Sequence, residues 1–536
     1  MQRSFVCRTL SVPFQALFVA DHGIRAKGCV SVTAAAMRAS PSCDALLTLQ
    51  DGSPLDSSAA AALRNLANNA ETQVAAVCAG GGGSGVRTQE ATALLALGNL
   101  AGNADNAVAD TSAGHIELLV ALLSGSSAKA QEEATFTLRK KAAAATLGHL
   151  ARNADNQVAI ARAGAIGPLV ALLSDGGGAG AQEAAAFALR NLANNAGNRV
   201  AIACAGAIDP LVALARGRSR PAAQREAAAA LGNLAVNANN QVTIARAGAI
   251  DPLVVLARGG TVRAKSVGAQ KAAAVALRNL AGNADNQEAI ARAGAIGPLV
   301  ALVLGDNAGA QEQAAAALGR LAHNNPDNRV AIARAGAIGP LVALVRGGSA
   351  VAQQAAAAAL CNLAGKNADN QLAIACAGAI ESLLSLARVG MLHGWAGAQE
   401  EAAAALCNIA ANNASNRAAI ARAFSCAGAI EVLVALVSVG TAGAQEAAAA
   451  ALGNLAGNAE NQGAIARAGA IGPLVALARG GSAEAQEQAA IALYNLAINN
   501  ADNKMAIARA DRRLSRILKR LTTPATVRAK SNSFVP

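Results

Sequence analysis

One segment returns along this chain with a period near 42 residues, and a chain built this way folds as a stack of copies of one unit. The clearest copy spans Gly206–Ala247, GAIDPLVALARGRSRPAAQREAAAALGNLAVNANNQVTIARA, and the next opens at Gly248 with GAIDPLVVLARGG. The glycine of each GAI falls at Gly164, Gly206, Gly248, Gly294, Gly336, Gly378, Gly428 and Gly469, at intervals of 42, 42, 46, 42, 42, 50 and 41. A unit of this length cannot bury its apolar face alone, so neighbours must stack. Most of the 536 residues therefore belong to one elongated array and not to several separate cores.

The punctuation inside a unit predicts three helices. Asn240 opens a short first helix, NQVTIARA, and its side chain suits an N-cap. Gly248 ends that helix and allows a sharp turn. Asp251 and Pro252 open a second helix, where proline costs nothing in the first turn. Leu211, Val212 and Leu214 mark its core face in the preceding copy. A Gly/Ser-rich turn leads to a third helix, AAQREAAAALGNLAVN, rich in alanine, the best helix former. Asn237 is expected to close it as a left-handed C-cap. The fold class is thus all-α. Aromatic residues make up only 2% of the chain, so the helices must pack through small side chains.

The repeat runs over residues 46–510, in about ten or eleven copies. The first copy is truncated around Leu63-Arg64-Asn65-Leu66, and a glycine run, Gly80 to Gly83, replaces most of a helix. That run is no phosphate loop, because no GK[ST] follows it. Residues 135–142, TFTLRKKA, are eight extra residues inside a third helix. Kept helical, they would turn the following face by about 80°, so they are expected to loop out. Further extra residues near Val262–Val267, Met391–Trp395 and Phe424–Cys426 read as surface loops or as retained intron sequence.

The ends differ from the array. Residues 1–45 carry five basic residues, Asp21 and Asp44, a composition similar to an organelle transit peptide and equally to a disordered leader. Residues 511–536 are basic, with Leu514, Ile517, Leu518 and Leu521 in a helical stripe. They read as a cap helix with a tail, or as a nuclear-localisation or acidic-partner segment. These two ends hold +3 and +6 of the net +12, leaving +3 for the array, so the basic balance does not by itself imply nucleic-acid binding. No strongly apolar run of membrane-spanning length occurs. The nine cysteines contain no CxxC pair and the five histidines no HxxxH pair, so neither a disulfide framework nor a metal site is expected. Cys204 and Cys376 share one repeat position, Cys361 and Cys407 another, which suits a reducing compartment, cytoplasmic or nuclear.

The unit resembles the armadillo repeat. The residues that carry the resemblance are Gly206-Ala207-Ile208-x-Pro210-Leu211-Val212, then Gln224 and Ala227, then Leu231-x-Asn233-Leu234-Ala235, then Asn240 and Ile244. The resemblance implies a right-handed α-α superhelix whose third helices line a concave groove for extended peptides. It also implies a peptide-binding asparagine on each third helix. These map to Asn65, Asn99, Asn191, Asn233, Asn279, Asn362, Asn408, Asn454 and Asn495, with His149 and Arg320 breaking the ladder. A mid-helix asparagine is a poor helix former, which argues for a task. That task is groove binding or a bond between repeats.

Nuclear-import adaptors of this family place a tryptophan four residues before the asparagine. Here those positions hold Ala229, Val275, Ala358, Ala404 and Ala450, and only Phe187 is aromatic. An import or vesicular transport adaptor is the less favoured alternative to a non-catalytic protein-interaction scaffold. The vacuole-associated and ubiquitin-ligase-associated scaffolds of the family are the nearest in style. Eight residues before the asparagine, Glu183, Glu312, Glu400, Glu446 and Glu487 form a row interrupted by Arg225 and Lys271. It reads as a solvated face, or as a weak preference for basic partners. No catalytic constellation and no cofactor motif rises above the repeat background.

Overall fold

The computed structural model describes residues 113–124, 130–174, 178–217, 220–259, 267–411 and 428–511. The chain separates into two compact units, Met1–His115 and Ile116–Pro536, and the second holds nearly all the described residues. Helices and no strands make up the regular structure among the described residues. After Gly206 the chain forms a second helix, Ile208–Arg216, a third, Pro221–Leu234, and the first helix of the next unit, Ala238–Arg246.

The sharp turn lies where the glycines predict it. All eight GAI glycines have positive φ, from 62° at Gly428 to 82° at Gly164. A side chain is strained in that conformation, so the recurring glycine sets the corner. The first and second helices there meet at 84° across Gly206. The second helix then points its stripe inward: Leu211 is 0% exposed and Val212 and Leu214 are buried. Burying such a leucine stabilises by about 1.5–3 kcal/mol.

Among the described residues nine third helices stack directly on one another: α1 (Ala130–Leu150), α2 (Gly178–Leu192), α3 (Pro221–Leu234), α4 (Val267–Leu280), α5 (Ala308–Ala322), α6 (Ala350–Ala364), α7 (Ala396–Ala410), α8 (Ala442–Leu455) and α9 (Ala483–Ala497). Each second helix from Ile166–Ser174 onward packs on the third helix of its own unit and forms the other layer. Small residues let the third helices approach closely. A Cβ on Gly232 would lie 3.3 Å from the Ala276 Cα, and one on Gly319 would lie 3.1 Å from the Ala359 Cα. The scarcity of aromatic residues is thus a packing requirement.

Four sequence expectations need correction. Asn237 is extended, with φ −84° and ψ 127°, and its Oδ1 accepts from the N–H groups of Asn239 and Asn240. It is the N-cap of the following first helix and not a left-handed C-cap. Asn240, expected at that cap, is buried within the helix. The third helix needs no left-handed residue here, because Val236 and Asn237 close its end by donating to Asn233 O and Leu234 O. Where the turn is one residue longer, Asn324, Lys366 and Asn499 absorb the extra residue at φ 51° to 55°.

Residues 135–142 do not loop out, because α1 is one continuous helix of 21 residues. No glycine or proline interrupts it before Gly148. Its carboxy-terminal part keeps the register of the other copies, with Ala142, Ala143, Leu147 and Leu150 buried like Ala184, Ala185, Leu189 and Leu192. The insertion therefore only lengthens the amino-terminal end. Met391–Trp395 likewise forms no simple loop. The second helix continues over Ala379–His393 and stops at Gly394, φ 68°. Gln399 Nε2 ties this extension down by donating to Gly390 O at 3.0 Å. The leader 1–45, Gly80–Gly83, residues 260–266, Phe424–Cys426 and the tail after Asp511 lie outside the described residues.

Four described cysteines are free: Cys204 and Cys376 are exposed, and Cys361 and Cys407 sit between third helices. Burial pushes the Cys361 thiol up to about 12, with Glu401, Cys407 and an opposing Asn408 bond as lesser causes. Burial, with Glu446, pushes Cys407 up to about 11. The thiolate is the reactive form. At mildly alkaline pH an alkylating reagent is expected to label Cys204 and Cys376 at least about 100-fold faster than Cys361 and Cys407. Mass-spectrometric mapping checks this, and equal rates would contradict the packing described.

Candidate functional site

Seven of the nine candidate asparagines lie in described residues, and Asn65 and Asn99 lie outside them. All seven occupy one position on α2, α3, α4, α6, α7, α8 and α9. Each donates its side-chain amide to a carbonyl on the preceding third helix. Asn191 Nδ2 reaches Gly148 O at 2.7 Å, Asn233 reaches Arg190 O at 2.9 Å and Asn279 reaches Gly232 O at 2.8 Å. Asn362, Asn408, Asn454 and Asn495 repeat the bond to Gly319 O, Cys361 O, Cys407 O and Gly453 O. The mid-helix asparagine thus joins repeats, whatever else it does. Asn191 and Asn279 are buried, and the other five are half-buried. At Arg320 the ladder lapses, and Arg278 Nη1 instead donates to Gln313 Oε1 at 2.6 Å.

A second ladder went unread in the sequence. The asparagine three residues after the cap is buried, and in six of the described copies it bridges two units. Asn240 Nδ2 donates to Leu234 O of its own unit and Arg199 O of the preceding one. Asn198, Asn286, Asn328, Asn370 and Asn503 do the same. The signal was present as two asparagines three residues apart in every copy but the truncated first, where Thr72 follows Asn69. Cap preference explains only the first of each pair.

A cavity of about 790 Å³ lies across α1 to α4. Its floor is small, with Ala145, Ala184, Ala229 and Val275, and Asn233 borders it. Phe187 is the one aromatic side chain in its lining. The His149 ring meets Phe187 edge-on at 5.0 Å, and the Arg190 guanidinium lies over it at 5.0 Å. Arg190 Nη1 pairs with Glu226 Oε2 at 2.6 Å, and Arg225 Nη2 with Glu226 Oε1 at 2.7 Å. Burial pulls Arg190 below its ordinary value, and Glu226 opposes that. Burial and Arg152 lower the His149 pKa, which favours the neutral imidazole. Lys141, Arg152, Arg190, Arg220, Arg225 and Lys271 face two carboxylates, Glu183 and Glu226, around the cavity. No cluster of metal-ligating side chains occurs among the described residues. No single helix among them is long and apolar enough to cross a membrane.

The family model for the armadillo/beta-catenin-like repeat matches residues 153–194, 283–323, 325–365 and 458–498. The crystal structure of an engineered protein from the Northeast Structural Genomics Consortium superposes with a TM-score of 0.67 at 31% identity, covering 80% of this chain and 98% of that one. The chain belongs to the armadillo-repeat family. A second engineered protein from the same consortium is 33% identical, with a TM-score of 0.42 over 46% of this chain and 98% of its own. No curated protein matches in sequence. The armadillo solenoid is generally a protein-interaction scaffold and typically non-catalytic, so protein partners suit the fold.

Proposed function

We propose that this armadillo protein is a non-catalytic scaffold that holds an extended segment of a partner protein along its third helices. The observation that carries this reading is the open cavity spanning α1 to α4, whose alanine floor leaves room for a chain. A side-chain amide offers two donors and two acceptor sites, and the bond to the preceding helix uses one donor. In this reading Asn495 presents the remainder to a partner's backbone, and Asn408 and Asn454, whose Nδ2 groups also reach Cys361 Sγ and Cys407 Sγ, present their Oδ1. Asn233 spends both donors, on Arg190 O and Asn194 Oδ1, and presents its Oδ1. With alanine and valine at most shelf positions, the floor suits varied side chains more than a row of lysines. The cytoplasm or nucleus is the proposed compartment, since the cysteines follow the repeat and not a pairing pattern.

Asparagine-to-alanine changes would disturb the stack, so the test fills the floor instead. The double variant Ala229→Trp, Val275→Trp adds bulk without charge, and Val200→Trp places the same bulk on an exposed first-helix site. Affinity capture with the full chain is expected to lose or reweight specific partners in the double variant and to keep them in the control. Identical partner sets in both, with unchanged helical content, would remove the groove as the working surface.

A further inference from the structure

The row of residues eight before each ladder asparagine forms a rail along the amino-terminal edge of the third helices. Its side chains lie across the first turn of the next helix, where glycine makes room. A Cβ at Gly180 would stand 3.3 Å from Lys141 Nζ, at Gly268 2.9 Å from Arg225 Cδ, at Gly309 2.7 Å from Lys271 Nζ and at Gly443 3.0 Å from the Glu400 carboxyl carbon. The rail changes sign along the array. On α1 to α4 it reads Lys141, Glu183, Arg225 and Lys271. On α5 to α9 it reads Glu312, Gln354, Glu400, Glu446 and Glu487. None of these residues is buried. The cavity adds Arg152, Arg190 and Arg220 against Glu226 to the basic half. In the acidic half Glu401 lies beside Glu400, and burial and Glu400 both raise its pKa.

We propose that the groove selects a partner segment of divided charge, acidic over α1 to α4 and basic over α5 to α9. This rests on the groove reading and adds its specificity. Complementary fields choose among partners and suppress wrong ones more than they set affinity. A uniformly charged occupant fails on one half: a polynucleotide that suits Lys141 and Lys271 meets Glu400, Glu446 and Glu487 further along. Stacked helices lie about 8–10 Å apart, and an extended chain rises about 3.3 Å per residue, so a segment crossing nine helices needs about 24 residues. Each helix then meets about three of them, and charge can be matched block by block.

The test uses the full chain and labelled peptides of about 24 residues. Two carry a glutamate block and a lysine block in opposite order along the chain, and a third scrambles the same composition. Fluorescence anisotropy is expected to show one block order binding at least tenfold tighter than the scramble, with the difference shrinking at higher salt. Lys141→Glu with Lys271→Glu, and separately Glu446→Lys with Glu487→Lys, should each weaken that preference, and the fourfold variant should erase it. Adding Glu312→Lys and Glu400→Lys to these four should exchange the preference between the two block orders, an effect no loss of folding can produce. Equal binding of segregated and scrambled peptides overturns the division of charge. If the Ala229→Trp, Val275→Trp variant still blocks them, the groove reading survives. If it does not, both readings fall. Tight binding of single-stranded RNA with no peptide bound overturns the choice of a protein segment.

Discussion

Replacing Asn370 by alanine is expected to destabilise the array by about 2–4 kcal/mol. Asn370 is 4% exposed, and its Nδ2 donates to Leu363 O at 3.0 Å and to Arg329 O at 3.3 Å. The truncation removes both bonds and leaves two carbonyls without that donor, at about 1–3 kcal/mol for each buried group. One lost bond lies within a unit and the other joins two units. Stability in a solenoid is a sum of unit and interface contributions, so a weakened interface uncouples the blocks on either side. Denaturant unfolding is expected to broaden or split, and amide exchange to rise in Pro326–Arg334 and Ala368–Cys376. Asn370→Asp separates the causes. It keeps the shape but directs an anion at two carbonyl oxygens, so it should cost more than alanine. A change within about 0.5 kcal/mol for both variants, the range of an inert surface site, would show that the second ladder carries no stability.

Gly319→Leu is expected to cost about 3 kcal/mol or more, at the upper end of what overpacking produces. The first added carbon would stand 3.1 Å from the Ala359 Cα and 3.4 Å from its Cβ, and three more carbons have no space to occupy. Moving α5 away from α6 would lengthen the bond from Asn362 Nδ2 to Gly319 O, now 3.1 Å. Gly297 provides the contrast. Nothing lies within 4 Å of a Cβ there, and it sits in the second helix Ile296–Val303. Gly297→Leu should be neutral or stabilising by up to about 1 kcal/mol, because glycine is the poorer helix former. Thermal unfolding of the two variants side by side measures the difference. Equal midpoints would show that the third helices are not held at close contact.

Much of this was legible in the residues, for reasons that are local. The positive φ of Gly206 or Gly248 follows from its place after an apolar-periodic helix, and Leu211 is inward because the stripe can face only one way. The misreadings were also local. Asn237 and Asn240 were assigned by cap preference, which sees partners two or three residues away. The partner that decides the role of Asn240, Arg199 O, is 41 residues away in sequence. TFTLRKKA was judged by the rotation it would impose on residues after it, whereas the stack holds those residues in register and lets the other end grow.

From its sequence alone this chain had to be a stack of three-helix units with a glycine corner in each, because period, helix propensity and turn chemistry act within one unit. Only the tertiary structure decided which asparagines join the units and where charge collects. Residues 42 or so apart become neighbours once the third helices stack, so Lys141, Arg225 and Lys271 share one edge with Glu183 between them. Their hydrogen bonds and their combined field exist only after that juxtaposition.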